Sequence, residues 1–222
     1  MTISVLGMGW ISKEGYGCIR NGQRQHFAGN QADSVLSKRD IFSHPFKNFG
    51  RLDGLSKSVA YAVALALRDA AMDYTPQHKR NIGIVGTSRE GSLRTDVEYF
   101  RDYIQSGRTL SRANLFIYTL PSSPLGEAAI HFGFLGPLLY AASGSGSMLP
   151  ILDMAFGMIE GGEADAMLAG TADEEEAVFL ALGRAGSIPA LCGIEQARAA
   201  LAAPSAIADM VRHFSAAFLR KA

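Results

Sequence analysis

Hydrophobic positions along this chain follow two rhythms. In residues 55–72, Leu55, Val59, Ala62, Val63, Ala66, Leu67 and Ala70 recur at steps of three and four, the apolar stripe of a helix. Short apolar runs at 3–9 and 82–88 predict two strands, the first ending on a Gly7-Met8-Gly9 turn. Residues 92–106 predict a polar, amphipathic helix with Val97, Phe100 and Ile104 on its inner face. A small-residue helix over 122–132 follows Pro121 and closes at Gly133. The run at 137–142 suits a buried strand, the Ser/Gly stretch 143–147 a turn, and 148–160 a helix. That helix is apolar nearly all round, with Leu149, Ile151, Leu152, Met154, Phe156, Met158 and Ile159, so the pattern predicts burial on more than one side. Pro150 is compatible because it falls in the first turn. Residues 164–169 read as the next strand, 178–182 as strand or helix, and 194–202 and 205–219 as helices parted by Pro204. Residues 11–54 keep neither rhythm and read as a functional or interface loop, or a partly disordered stretch. Strands alternating with helices predict an α/β fold with a mainly parallel sheet flanked by helices. No repeat and no linker divides the chain, so residues 1–222 read as one domain.

Composition narrows the function classes. Apolar residues at 48% and charged residues at 19% fit a globular core rather than a disordered chain. Twenty-one basic residues balance twenty-one acidic ones, which gives no electrostatic reason for nucleic acid or an anionic membrane as a partner. Cys18 and Cys192 are too few and too distant in sequence for a disulfide framework or a zinc site, and read as small filler side chains. The opening residues lack the pattern of a signal peptide, and no apolar run is long enough to span a bilayer. The expectation is a cytoplasmic, reduced, soluble protein with no metal and no cofactor.

The candidate chemistry lies in the turn 143–147. A turn between a strand and a helix N-terminus presents unpaired N–H groups to negative charge. Ser145 at its centre has three readings. It is a nucleophile if a general base stands beside it, and the candidates are His26, His44, His78, His131 and His213, none within a motif. Alternatively, the serines cap the helix while the glycines allow tight geometry. In the third reading, Gly144, Gly146 and Ser147 form a backbone nest for an anion or a thioester oxygen. No lysine follows as in a nucleotide phosphate loop. The acidic run Asp173-Glu174-Glu175-Glu176 reads as a solvated strand end, since nothing spaces its carboxylates onto one face.

Five segments in order resemble the N-terminal half of a β-ketoacyl synthase of the thiolase fold. They are Val5-Leu6-Gly7-Met8-Gly9, Gly50-Arg51-Leu52-Asp53, the run from Ile82 to Thr87, Thr119-Leu120-Pro121-Ser122-Ser123-Pro124-Leu125-Gly126-Glu127 with Phe132-Gly133 and Leu135-Gly136-Pro137, and Gly162-Glu163-Ala164-Asp165. The resemblance covers residues 1 to about 175, leaving a helical tail over 194–222. It implies a thiolase-like fold and places the family's nucleophilic cysteine at Ser145, so the expected thiol is a hydroxyl. It also implies a second half, carrying two histidines and a lysine that decarboxylate the donor, for which no matching motif occurs here. A degenerate, non-condensing partner or scaffold subunit in fatty-acid-like or polyketide assembly is the implied role, ahead of a Ser145-dependent acyl transferase or thioesterase, or an acyl-ligand binding protein. The resemblance further implies pairing through the edge Leu138, Leu139, Tyr140, Ala141 and Ala142, as a homodimer or with a full-length ketosynthase, and an acyl carrier protein as a possible partner. The tail is expected to lie where the second half would have packed.

Overall fold

The computed structural model describes residues 2–20, 24–26, 36–109, 112–143, 147–186, 189–203 and 206–219. The chain opens with strands β1 (Ile3–Ile11), β2 (Gly15–Cys18) and β3 (Arg24–His26), then a short helix α1 (Lys38–Ile41) and the long α2 (Gly54–Asp69). Next come β4 (Ile82–Thr87), α3 (Leu93–Gln105), α4 (Ala113–Ile117), α5 (Ser123–Phe132) and β5 (Leu138–Tyr140). The last part holds α6 (Met148–Glu160), β6 (Ala166–Asp173), β7 (Glu176–Arg184), β8 (Cys192–Gly193), α7 (Ile194–Leu201) and α8 (Ile207–Leu219). The strands form one sheet in the order β3-β2-β1-β7-β6-β4-β5, with β8 paired to β1.

The sheet is mixed, which corrects the mainly parallel expectation. Only β4 with β5 and β4 with β6 run parallel. The reason is local: β6 and β7 are joined by a tight turn, with Asp173 opposite Glu176, and such a turn can only return the chain antiparallel. A second tight turn, closed by Ser12 N–H on the Gly15 carbonyl, sends β2 back along β1. Part of the segment that lacked any rhythm is therefore sheet. The ambiguous run at 178–182 is strand as well, buried throughout.

Gly7 and Gly9 do not end β1 but let α2 rest on it. A Cβ at Gly9 would lie 2.3 Å from the Ala66 nitrogen, and one at Gly7 2.4 Å from the Ala70 nitrogen. The strand passes under the helix and continues to Ile11. Helix α2 begins where Asp53 accepts a hydrogen bond from Ser56 N–H at 2.8 Å, an N-cap that sets its register. It is buried almost all round, because Phe42, Phe49 and Leu52 close the side away from the sheet. Its last residue, Asp69, is fully buried and accepts from Met8 N–H at 2.9 Å and Arg20 N–H at 2.6 Å. The Arg20 guanidinium donates in turn to the carbonyls of Asp69, Leu6 and Pro189.

Helices α2 and α5 pack on one face of the sheet, and α6, α7 and α8 on the other. Gly133, at φ 71°, ends α5 as its position predicted. Helix α6 buries Met148, Ile151, Leu152, Ala155 and Ile159, but Leu149, Phe156 and Met158 are only partly buried and Met154 is exposed. Its apolar circumference thus exceeds what the described residues cover. Among the described residues, no helix is long and apolar enough to cross a membrane.

Candidate functional site

The turn entering α6 is held by its two ends. Ala141 N–H donates to the Gly86 carbonyl at 3.0 Å, extending the pairing of β5 with β4 by one step. Ser143 Oγ accepts from Thr87 Oγ1 and donates to the Ser147 carbonyl, both at 3.4 Å, so it spans the turn from the end of β4. Gly144, Ser145 and Gly146 lie outside the described residues. Ser147 occupies the N-cap position of α6 with extended backbone, yet its side chain makes no capping hydrogen bond, contrary to the capping role read for the turn's serines. It faces a cavity of about 490 Å³ between the start of α6, the end of β6 and the junction of α7 with α8.

Among the described histidines, His131 is the one the fold encloses. Its ring stacks on Phe46 with centroids 3.8 Å apart and planes 10° from parallel, and meets Phe42, Tyr74 and Phe132 edge-on. Burial, with a smaller contribution from nearby His44, holds its imidazole down at about 4. Nε2 has no hydrogen-bond partner among the described residues. It packs beside α2 and α5, away from the α6 face, as a core residue and not a base. His78 and His213 are exposed, and the side chain of His26 lies outside the described residues.

The acidic run, read as a solvated strand end, lies at the tip of the β6–β7 hairpin, and three of its four side chains form ion pairs. Asp173 pairs with Arg89 at 2.9 Å, Glu174 with Arg94, and Glu175 with Lys13 at 3.0 Å. All are solvent-accessible, where such pairs contribute little to stability.

The feature that the sequence reading missed is an apolar face. Helix α3 is amphipathic, but the stripe expected to point inward is exposed: Val97 by 38%, Phe100 by 62% and Ile104 by 42%. Phe116, Ile117 and Leu120 are exposed as well, and Phe116 is in ring contact at 5.7 Å with Tyr99, on another side of α3. The predicted buried strand β5 is also exposed at Leu138 and Leu139, because it is the last strand of the sheet and its outer edge has no partner among the described residues. The entrance to α3 lies beside the end of β5, where Gly91 stands against Tyr140 and Pro121. Periodicity reports that a stripe is apolar; it carries no sign of whether the cover comes from the same chain.

Comparison with known proteins agrees with this geometry. A family model described as beta-ketoacyl synthase, N-terminal domain, matches residues 20–198. A solved chain of the ishigamide ketosynthase/chain length factor superposes with a TM-score of 0.65 at 18% identity, covering 99% of this chain and 82% of that one. A ketosynthase in complex with its chain length factor from Xenorhabdus doucetiae gives 0.53 at 15% identity, covering 84% and 81%. A beta-ketoacyl synthase from Burkholderia phymatum gives 0.55 at 14% identity, with 83% of this chain but only 59% of that one. Identities this low carry the fold alone. No curated protein sequence matches this chain.

Proposed function

Since the chain belongs to the beta-ketoacyl synthase family through its N-terminal domain, we propose that it is a non-condensing, ketosynthase-like subunit that pairs with a ketosynthase in fatty-acid-like or polyketide assembly. The observation that carries this reading is the apolar face of α3, α4 and β5. Leu93, Val97, Phe100, Ile104, Phe116, Ile117 and Leu120 stand exposed beside an open strand edge. Exposed large apolar side chains in this number suit an interface, and an open edge gains ladder hydrogen bonds only from another chain. Two of the similar structures are described as a ketosynthase with a chain length factor, which supports a partner of ketosynthase type. The chains being extended would arrive on an acyl carrier protein. When the protein is made alone, the same face pairs with a second copy.

The non-condensing part of the reading rests on the chemistry available. At the position that corresponds to the family's cysteine stands Ser145, and a serine needs a base beside it. His131 is committed to the aromatic core, and His78 and His213 are solvent-exposed.

The test is to co-express the tagged chain with a full-length ketosynthase from the same genome and size the product by sedimentation velocity. A stoichiometric complex is expected, with a homodimer when the chain is made alone. A chain that stays monomeric both alone and beside the ketosynthase overturns the proposal.

A further inference from the structure

A second cavity adjoins the one beside Ser147. It measures about 560 Å³ and shares Arg89, Asp173 and Glu176 with the first, so one wall of charged side chains separates the two. Both fall in the size range of small-molecule sites, about 300–1,000 Å³. Their characters differ. The inner cavity is closed by Met148 from α6 and by Leu201, Ile207 and Met210 from the last two helices, an apolar wall. The outer one is lined by ionisable groups, three basic and five acidic. Every base there is already paired: Arg89 with Asp173, Arg94 with Glu174, Lys13 with Glu175. Glu90 and Glu176 have no ion pair among the described residues, and Glu176 stands at the junction of the two cavities.

We propose that the paired cavities bind a linear amphiphile, with its apolar tail against Met148, Leu201 and Met210 and a cationic head at Glu176. Apart from Met148, the wall that receives the tail is built by α8 and the end of α7, beyond residue 198 where the family match stops. An anionic head would meet an excess of acid with no base free to receive it, whereas an ammonium head gains a carboxylate. A long flexible tail also suits the two methionine side chains, which adapt to irregular shapes.

Titration of the intact protein with decylammonium and with decanoate, by calorimetry below their micelle concentrations, tests the assignment. Decylammonium should bind saturably and at least about tenfold more tightly than decanoate, the order expected of one partly solvated charge contact. Ala206→Trp fills the inner cavity from an exposed position and should abolish binding while thermal unfolding stays unchanged. Glu176→Gln should close most of the gap between the two probes. No saturable binding by either probe, equal affinities in the wild type, or undiminished binding in a folded Ala206→Trp protein would each overturn it. Pairing with a ketosynthase is read by sedimentation and is independent of these outcomes.

Discussion

Burial of the His131 imidazole among Phe42, Phe46, Tyr74 and Phe132 makes its neutral form part of the folded state. Its pKa falls from 6.5 to about 4 on folding, so between those values the unfolded chain takes up the proton first. Stability should therefore be full above about pH 6.5, fall as pH drops towards 4, and change no further below that on account of this residue. A loss of about 3 kcal/mol is expected across the window. Asp69 acts in the opposite sense, since burial raises its carboxyl and protonation relieves a buried charge. His131→Phe keeps Asp69 and should lose much less stability between about pH 7 and about pH 4.5, measured by chemical denaturation. Gly9→Ala is the sharper lesion: a methyl 2.3 Å from the Ala66 nitrogen must push α2 off β1, and a cost of about 3 kcal/mol is expected in urea unfolding. Ser145→Cys, by contrast, should not create condensation with acyl and malonyl carrier thioesters, and clear ketoacyl product from that variant alone would contradict the non-condensing reading. Ser145 and Gly9 stood out in the sequence because motifs surround them, although Gly9 read as a turn and not as a seat for a helix. The environment of His131 is assembled from residues 42 to 134 and leaves no local mark.

Helix α3 and strand β5 show where local pattern stops being informative. The helix was legible from its spacing of Val97, Phe100 and Ile104; its exposure was not, because an amphipathic stripe looks alike whether its cover is another helix or another molecule. The same limit applies to β5, whose apolar run reads as buried although Leu138 and Leu139 lie at an edge. Two substitutions separate interface from core. Phe100→Asp with Ile117→Asp should leave the thermal midpoint nearly unchanged, since both side chains are already exposed, yet abolish the proposed pairing in sedimentation. Leu138→Pro should do the same by removing a ladder donor from the outer edge, since the N–H groups of Leu139 and Ala141 face β4. The hairpin of β6 with β7 was hidden differently: four acidic residues at its tip suggested a strand end, and only the register shows the chain turning straight back. Strands β2 and β3 escaped notice because Gly15-Tyr16-Gly17-Cys18 alternates too weakly to signal a face.

At the scale of the molecule, two segments remote in sequence finish the α6 face. Helix α7 is tied to α6 by Arg198, which bonds Asp153 at 2.8 Å and lies 5.1 Å above the Phe156 ring. Helix α8 brings Met210, Val211 and Phe214 into the same core as Met8 and Trp10 of β1. Phe218 receives the guanidinium of Arg20 at 5.4 Å. The helical tail was legible; its place in the core that holds Met8 and Trp10 was not, since nothing in residues 207–219 names their target. Truncation after Ala203 should uncover Met8, Trp10 and their neighbours. The shortened chain is expected to lose cooperative unfolding and to aggregate, read by calorimetry and light scattering.

The place of β1 inside the sheet has a consequence in time. Ile3 pairs with Arg184 and Val5 with Cys192, so β1 waits for partners made more than 170 residues later. At about 5–20 residues per second, on the order of ten seconds or more pass between the two. Until β7 is made, Ile3–Ile11 has the β2 hairpin and α2 beside it but one edge open. Such high contact order slows closure of the fold and exposes an aggregation-prone strand during synthesis. Yield in cells should therefore respond to chaperone supply and to translation rate more steeply than the equilibrium stability of the finished protein would suggest.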